Sequence, residues 1–274
     1  MKPAENLPVF TLITGGSTGL GRELAIAYAR RHTNLILVAL PGRNLQQLCN
    51  ELELMFGIRA ISIECDLANE TALEEMAAYV KQNFSVNQLV NNAGIGGTLR
   101  FTEATRESLD KIIHLNIRAT TMLTHFMLPE LMLHPRALIL NIASMAAFGP
   151  VPYKTITPAS KAFTYSFSRS LSRELKGTGV RVVVANPARM ITNPEVTFGI
   201  IKQGIWGKIG FLTTGRVADL VLSGVESGKE VIVPGCINKL NRLFTKWLPE
   251  SLMLTLLERA LRKELPIRDL FSNH

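Results

Sequence analysis

The chain has few of the residues that mark several large classes of protein. Its three cysteines, Cys49, Cys65 and Cys236, are scattered and odd in number. This distribution argues against a disulfide framework and a zinc site, and it favours a reducing compartment. No uninterrupted apolar run reaches the roughly 18 residues of a membrane span, and residues 1–8 lack the apolar stretch of a signal peptide. We therefore expect a cytoplasmic protein.

Charged residues are also scarce, at 19% of the chain, whereas hydrophobic residues reach 47%, so extensive disorder is excluded. The net charge of +8 favours anionic ligands such as dinucleotide phosphates, acyl-carrier proteins or lipid headgroups. No stretch concentrates this charge into a nucleic-acid-binding module, so we expect no nucleic-acid partner. The 274 residues contain no linker, repeat or low-complexity run and are enough for one large core.

Strand-like and helix-like segments alternate along the chain. The short apolar runs are typical of strands that are covered on both faces in a parallel sheet, and the segments between them carry apolar residues at helical spacing. This alternation predicts a single α/β domain over residues 1–237, a Rossmann-like, doubly wound parallel sheet of about seven strands with helices on both faces. The predicted strands are 9–13, 34–39, 60–63, a fourth beginning at 88–90, 137–142, 180–185 and 230–233; the predicted helices are 20–31, 45–56, 70–84, 106–133, 158–176 and 215–227.

The first predicted strand leads into the glycine-rich turn Thr14-Gly15-Gly16-Ser17-Thr18-Gly19-Leu20-Gly21, which opens a helix. Glycine permits a tight turn and lets backbone N–H groups approach a pyrophosphate at the positive end of the helix. In this strand–turn–helix context a nucleotide site is favoured over a loop without a ligand. The predicted contacts from this turn are Gly15, Ser17, Gly19, Leu20 and Gly21.

The spacing of these glycines, G-x-x-x-G-x-G, resembles the short-chain dehydrogenase/reductase family, and further motifs extend the resemblance over residues 9–235. Asn91-Asn92-Ala93-Gly94 matches the family's N-N-A-G motif, which steadies the central sheet beside the cofactor. Asp66-Leu67 stands where the family places an aspartate against the adenine ring. Pro187 to Thr192 has the spacing of P-G-x-x-x-T, whose threonine approaches the nicotinamide amide. The resemblance implies an NAD(P) site that adds Asp66, Leu67, Asn92, Ala93, Gly94, Lys161 and Thr192 to the contacts of the turn.

The resemblance also implies three catalytic residues, but the family's tyrosine is missing. Ser144 would hold the substrate carbonyl oxygen, Lys161 would bind the nicotinamide ribose and tune the acid, and Asn116 would anchor a water relay to Lys161. Thr157 occupies the tyrosine position of Y-x-x-x-K, and its hydroxyl is far less acidic than a phenol. Three interpretations stay open: an engineered knock-out, a natural protein with a displaced acid, and a binder that has lost catalysis. Tyr153, in the preceding loop, is the nearest replacement, although a packing or substrate-contacting role is favoured for it.

The cofactor preference depends on the residues directly after the second strand. The chain reads Ala39-Leu40-Pro41 there, without the acid that would bind the ribose hydroxyls of NAD. Arg43, or less plausibly Arg22, could instead pair with the 2′-phosphate of NADP, although both are equally compatible with solvated surface arginines. We expect NADP or NAD, with NADP slightly favoured. Ala188, where the family has glycine, narrows the room beside the nicotinamide.

The C-terminal extension, residues 238–274, carries apolar residues at helical spacing between basic ones. Such an amphipathic segment can lie on a membrane surface or cover a lipid-shaped pocket; the alternative is packing on its own domain or on a second subunit. An apolar loop over residues 198–206 adds to the expectation of a hydrophobic substrate.

We therefore expect an NAD(P)-dependent oxidoreductase that transfers hydride between the nicotinamide and a carbonyl or secondary alcohol. Its substrate would be small and apolar, acyl-linked or lipid-like, and Thr157 would compromise or alter its activity. The alternative is a catalytically silent dinucleotide-binding sensor or partner subunit. We expect a homodimer or homotetramer.

Overall fold

The computed structural model describes residues 8–98, 100–188, 190, 212–244 and 249–262. The described residues form a sheet of seven parallel strands in the order β3-β2-β1-β4-β5-β6-β7. The order reverses between β1 and β4, which creates the crevice where open α/β sheets bind ligands. The predicted doubly wound sheet is thereby confirmed. The strands are β1 Val9–Thr14, β2 Asn34–Ala39, β3 Ala60–Glu64, β4 Ser85–Asn91, β5 Ala137–Ile142, β6 Val180–Ala185 and β7 Val231–Ile232.

Helices cover both faces of the sheet. Buried residues of α1, α2 and α7 form one core, and those of α3 and α5 form the other, against which the partly buried Leu171 of α6 packs. Strand β2 serves both cores, since Leu35 and Leu37 face the first and Ile36 and Val38 the second, all fully buried. Each such side chain contributes about 1.5–3 kcal/mol by leaving water. The helices are α1 Gly19–Ala29, α2 Leu45–Phe56, α3 Glu70–Asn83, α4 Arg106–Ile113, α5 Thr120–Leu131, α6 Ile156–Glu174, α7 Thr214–Glu226, α8 Cys236–Phe244 and α9 Glu250–Arg262.

Two predicted helices differ in detail from the observed ones. The predicted helix 106–133 is interrupted by a π-helical turn, His114–Ala119, between α4 and α5, a feature that is often found at functional sites. Helix α6 begins at Ile156, two residues before the predicted start at Pro158. A proline in the first turn removes an N–H that has no partner within the helix, so it does not prevent an earlier start.

The C-terminal extension packs on the domain through one side of its helices. Leu261 of α9 is buried, and a methyl group of Met253 lies against Gly149, 3.1 Å from the position of a Cβ there. Leu252 and Leu256, on another side of α9, are 50% and 52% exposed. Helix α8 begins at Cys236 and so crosses the predicted boundary after residue 237. Among the described residues, no helix is long and apolar enough to span a bilayer.

Candidate active site

A large cavity of about 770 Å³ opens at the carboxyl ends of the central strands. Its size lies within the range of small-molecule and cofactor sites. Of the predicted site residues, Gly21 and Asn116 lie behind its surface, and Thr192 lies outside the described residues. The predicted residues that line the cavity are Gly15, Ser17, Gly19, Leu20, Arg43, Asp66, Leu67, Asn92, Ala93, Gly94, Ser144 and Lys161.

Hydrogen bonds between Thr14 and Asn92 hold the glycine-rich turn in shape. The Thr14 hydroxyl accepts hydrogen bonds from the backbone N–H groups of Asn92 and Ala93, both at 3.0 Å, and donates to the carbonyl of Val90. The Asn92 side-chain amide donates to the carbonyls of Thr14, at 2.9 Å, and Gly15, at 3.2 Å. The turn is therefore fixed from the neighbouring strand β4.

Position 21 requires glycine because the first turn of helix α1 packs directly against the glycine-rich turn. A Cβ at position 21 would lie 2.0 Å from the Gly15 carbonyl oxygen and 2.5 Å from the Asn92 amide nitrogen. Gly15 itself has a φ of +65°, a left-handed backbone that glycine adopts without strain. The glycine spacing thus brings the N-terminus of α1 close to the end of β1.

The N-terminus of α1 is free to face an anion. Its N-cap residue, Thr18, makes no side-chain capping hydrogen bond, and the first turn contains no acidic residue. By contrast, α3 and α7 are capped by the side chains of Asn69 and Thr213. Unpaired N–H groups and the helix dipole favour a phosphate at such an end, so the cavity fits a dinucleotide.

The far end of the cavity is formed by residues that come after β2 and β3. Arg43 is exposed and lines it, whereas Arg22 does not line it and pairs with Glu23 at 3.8 Å. One Asp66 carboxylate oxygen accepts a hydrogen bond from the N–H of Ala68 at 3.0 Å, which shapes the turn after β3. Arg43 is thus the better of the two predicted candidates for a 2′-phosphate contact.

At the other end, Ser144 comes after β5 with its hydroxyl oriented by the backbone. Its oxygen accepts a hydrogen bond from the N–H of Ala146 at 3.1 Å, which leaves the hydroxyl proton to donate to a substrate oxygen. The loop is anchored by the N–H of Met145, which donates to the carbonyl of Pro187 at 2.9 Å.

Lys161 reaches the cavity from α6. Its Nζ donates to the carbonyl of Ile142 at 2.9 Å, and burial lowers the pKa of its ammonium to about 8. A Cβ on Gly94 would lie 3.3 Å from this nitrogen. The lysine is therefore held between the end of β5 and the loop after β4.

The Asn116 side chain is fully engaged in structural hydrogen bonds. Its amide nitrogen donates to the Ile95 carbonyl and the Ser160 hydroxyl, and its amide oxygen accepts from the Ile95 N–H, all at 2.9 Å. Asn116 is 1% exposed, in the π-helical turn. The side-chain amide is therefore anchored to the loop after β4 and to α6.

Thr157 lies in the first turn of α6, where two cavities meet. Its methyl group packs against Gly96, 2.7 Å from the position of a Cβ there. A second cavity of about 280 Å³, lined largely by apolar side chains, shares Ile95, Gly96, Lys111 and Thr157 with the first. Its apolar wall consists of Ile95, Phe101, Ala104, Leu109, Ile112, Tyr153 and Ile156.

Tyr153, the replacement considered from the sequence, and Tyr165 on α6 both lie apart from the first cavity. Tyr153 lines only the second, and its hydroxyl donates to the Glu258 carboxylate on α9 at 3.3 Å. Its φ of +60° places a non-glycine residue in the left-handed region, at a cost of about 1–2 kcal/mol. Tyr165 stacks edge-on against Phe148, with ring centroids 5.2 Å apart. Neither hydroxyl thus occupies the position of the missing phenol.

The hydrogen-bonding roles of Thr14 and of the buried polar network beneath the site were not predicted from the sequence. The Asn91 amide donates to Thr124, at 3.0 Å, and to Asn141, whose own amide donates to Ser168. Polar residues inside otherwise apolar strands were the available signal, because a buried polar group must find a partner.

Comparison with known proteins places these motifs in a family context. The family model for short chain dehydrogenase matches residues 10–197. The chain is 30% identical over 186 residues to 17-beta-hydroxysteroid dehydrogenase type 3 of Mus musculus, covering 67% of this chain and only 60% of that protein. It is 29% identical over 253 residues to the ketoacyl reductase HetN of Nostoc sp., covering 91% and 82% of the two chains. A short-chain dehydrogenase from Sphingobium yanoikuyae in complex with NADPH superposes with a TM-score of 0.74 at 28% identity, covering 90% and 95%.

Proposed function

Because this chain belongs to the short chain dehydrogenase family, we propose that it binds NADP(H) and reduces a carbonyl group on an apolar substrate, or oxidises the corresponding alcohol. The observation that carries the proposal is the junction of two cavities at Thr157: the larger one suits a dinucleotide and the smaller one an apolar chain. Ser144 and Lys161 line the larger cavity, and their distances from Thr157 along the sequence match the family's spacing.

The uncapped end of α1 and the exposed Arg43 support NADP(H) as the cofactor. The phosphates would lie at the N-terminus of α1, and Arg43 would pair with the 2′-phosphate. Gly15, Ser17, Gly19 and Leu20 would contact the pyrophosphate side, and Asp66 and Leu67 the adenine. The Sphingobium protein, solved with NADPH, supports the same preference.

The apolar cavity and the relatives support a 3-oxoacyl or bulky ketone substrate. Hydrophobic lining groups hold a ligand mainly by removing its apolar surface from water. A ketoacyl reductase and a hydroxysteroid dehydrogenase are among the related proteins, and both names imply hydrophobic substrates.

In this proposal the residues of the chain position the substrate carbonyl and control the proton that is added to its oxygen. The Ser144 hydroxyl donates a hydrogen bond to the substrate oxygen. Lys161 contacts the nicotinamide ribose, and Asn116 anchors a water relay to Lys161. When bound, the nicotinamide supplies or accepts a hydride at the carbonyl carbon.

The proposal is tested in two steps. Calorimetric titration with NADPH and NADH measures cofactor binding, and the oxidation of NADPH is then monitored with 3-oxoacyl thioesters and bulky ketones. Activity that falls in Ser144→Ala while NADPH affinity is kept supports a reductase. NADPH binding without carbonyl reduction in either the unaltered chain or Thr157→Tyr would indicate the silent dinucleotide-binding protein instead.

We also propose that the C-terminal extension touches an anionic membrane surface. Ile237 and Leu240 on α8 are 50% and 55% exposed, as Leu252 and Leu256 are on α9, and basic residues accompany them. We expect the chain to self-associate into a homodimer or homotetramer, and sedimentation measures this oligomeric state.

A further inference from the structure

The first cavity contains no phenol, yet carbonyl reduction needs a proton donor. Among its described lining residues, the titratable groups are Arg43, Cys65, Asp66, Lys111 and Lys161. Arg43, Cys65 and Asp66 come after β2 and β3, at the opposite end from Ser144, and burial raises the pKa of Cys65 to about 11. Lys111 is exposed on α4. Lys161 is the candidate whose charged end is withdrawn from solvent beside the junction of the cavities.

We propose that Lys161 is itself the proton donor of this chain, acting on the substrate oxygen through a water in the space that a tyrosine at position 157 would fill. This inference rests on the proposed function above. It gives Lys161 a role that a nearby tyrosine would otherwise perform.

The geometry on α6 supports this assignment. Thr157 and Lys161 are four residues apart, on the same side of the helix, and both contact the loop after β4. Thr157 Oγ1 lies 3.0 Å from the Cβ position of Gly96, and Lys161 Nζ lies 3.3 Å from that of Gly94. The ammonium has three N–H donors and uses one on the Ile142 carbonyl. In the proposed function one of the remaining two contacts the nicotinamide ribose, which leaves the other for a water between Lys161 and Thr157.

The environment of Lys161 makes its ammonium a usable acid. Burial, with no carboxylate contributing, lowers its pKa to about 8, whereas an ordinary lysine has a pKa of 10.5. General acids are most effective when their pKa lies near the working pH. At neutral pH this lysine is still mostly protonated, so it can donate.

The proposed step conserves atoms and electrons. A carbonyl takes one hydride and one proton. Bound NADPH would supply the hydride, losing a C–H bond and becoming NADP⁺. A new C–H bond forms at the carbonyl carbon, and the electron pair of the C–O π bond moves to the oxygen. That oxygen takes a proton from the water as the water takes one from Lys161 Nζ. Lysine is left as a neutral amine and regains its proton from solvent.

A first test measures the protonation of Lys161 without any reaction. Protein labelled with ¹³C at the lysine ε-carbons is titrated by NMR in the cofactor-free state, and Lys161→Arg identifies the resonance. We expect a midpoint near pH 8; a midpoint near the unperturbed value of about 10.4 would overturn the proposal.

A second test uses chemical rescue. Lys161→Ala should lose about 10²–10⁴-fold in carbonyl reduction, and added alkylammonium ions should restore part of the rate, with more acidic ions restoring more. Thr157→Val, which keeps the shape but removes a hydroxyl beside the proposed water, should lose less activity than Lys161→Ala. The matched control is Lys176→Ala, an exposed lysine just beyond the same helix, and it should behave as the unaltered chain. Absence of rescue, or an equal loss in Thr157→Val, would contradict a donor role for Lys161.

The outcomes separate this inference from the proposed function. If the unaltered chain reduces nothing but Thr157→Tyr does, the pocket is a reductase site and the lysine donor is wrong. If neither reduces any carbonyl although both bind NADPH, the proposed function itself is wrong, and the donor role with it.

Discussion

Replacing Gly21 by alanine should damage both the stability of the fold and its cofactor site. In an ordinary helix this change stabilises by about 0.5–1 kcal/mol, because glycine loses more backbone entropy on folding. Here a Cβ would lie 2.0 Å from the Gly15 carbonyl oxygen, and contacts under 3.0 Å are essentially never observed, so that carbonyl must retreat by about 1 Å. The same retreat strains the bond from the Asn92 amide to Gly15.

The net effect can be estimated from these contacts. Overpacking of this kind costs about 1–3 kcal/mol, and the hydrogen bonds of Asn92 to the turn are worth about 0.5–1.5 kcal/mol each. After the helix-propensity gain is deducted, we expect a loss of about 2–4 kcal/mol. At about 2–4 °C per kcal/mol for a domain of this size, Tm should fall by about 5–15 °C.

The assay compares thermal unfolding and NADPH titration for Gly21→Ala with those for Gly97→Ala. Gly97 is the matched control because a Cβ there would meet no heavy atom within 4 Å. We expect Gly97→Ala to keep its Tm and its NADPH affinity, and Gly21→Ala to lose both. An unchanged Tm in Gly21→Ala would refute the close packing of α1 on the turn, and unchanged NADPH affinity would refute the dinucleotide site.

Three further predictions concern charge and surface. Arg43→Ala should weaken NADPH binding by about tenfold or more relative to NADH binding, since a hydrogen bond to a charged group contributes about 1.5–3 kcal/mol. Arg22→Ala is the control, and equal losses of affinity for both cofactors would remove Arg43 from the phosphate site. Folding lowers the pKa of Lys161 to about 8, so the unfolded chain binds more protons than the folded one between about pH 8 and 10.5. The free energy of unfolding of the cofactor-free chain, measured by denaturant titration, should therefore rise by up to about 3 kcal/mol as the pH is raised through that window. The same rise in Lys161→Met would contradict this. Combined Leu252→Glu and Leu256→Glu substitutions should reduce flotation with anionic liposomes at unchanged Tm, whereas Leu54→Glu, exposed on α2, should not; unchanged flotation would assign the extension a purely structural role.

Local patterns predict the layout of the sheet well, because strands such as β2 are almost wholly apolar and buried. They do not predict the π-helical turn around Asn116, whose side chain bonds to residues distant in the sequence, Ile95 and Ser160, 21 and 44 residues away. They also place the start of α6 too late, because a proline is typical of the first helical position, whereas Pro158 lies within the first turn.

The sequence predicts the parts of the candidate site that depend on the spacing of motifs. It predicts less well the parts that depend on hydrogen-bond partners elsewhere in the chain. The glycine turn, Asp66, Ser144 and Lys161 all line the predicted cavity. By contrast, nothing local to Lys161 indicates that its ammonium bonds to the Ile142 carbonyl, or that burial lowers its pKa. A polar residue at the end of an apolar strand indicates that Thr14 has a partner but not which one, because its partners belong to β4 and the residues just after it.

The bond between Thr14 and the Asn92 N–H joins residues 78 positions apart in the chain, and this has a consequence for how the protein is made. The glycine turn leaves the ribosome long before the segment that shapes it, so affinity for a dinucleotide cannot arise until β4 has paired with β1. Closing such long loops is slow, and topologies rich in distant contacts fold slowly. Because a ligand that binds only the native state shifts the equilibrium towards it by mass action, a bound cofactor would raise the folded fraction of newly synthesised chain.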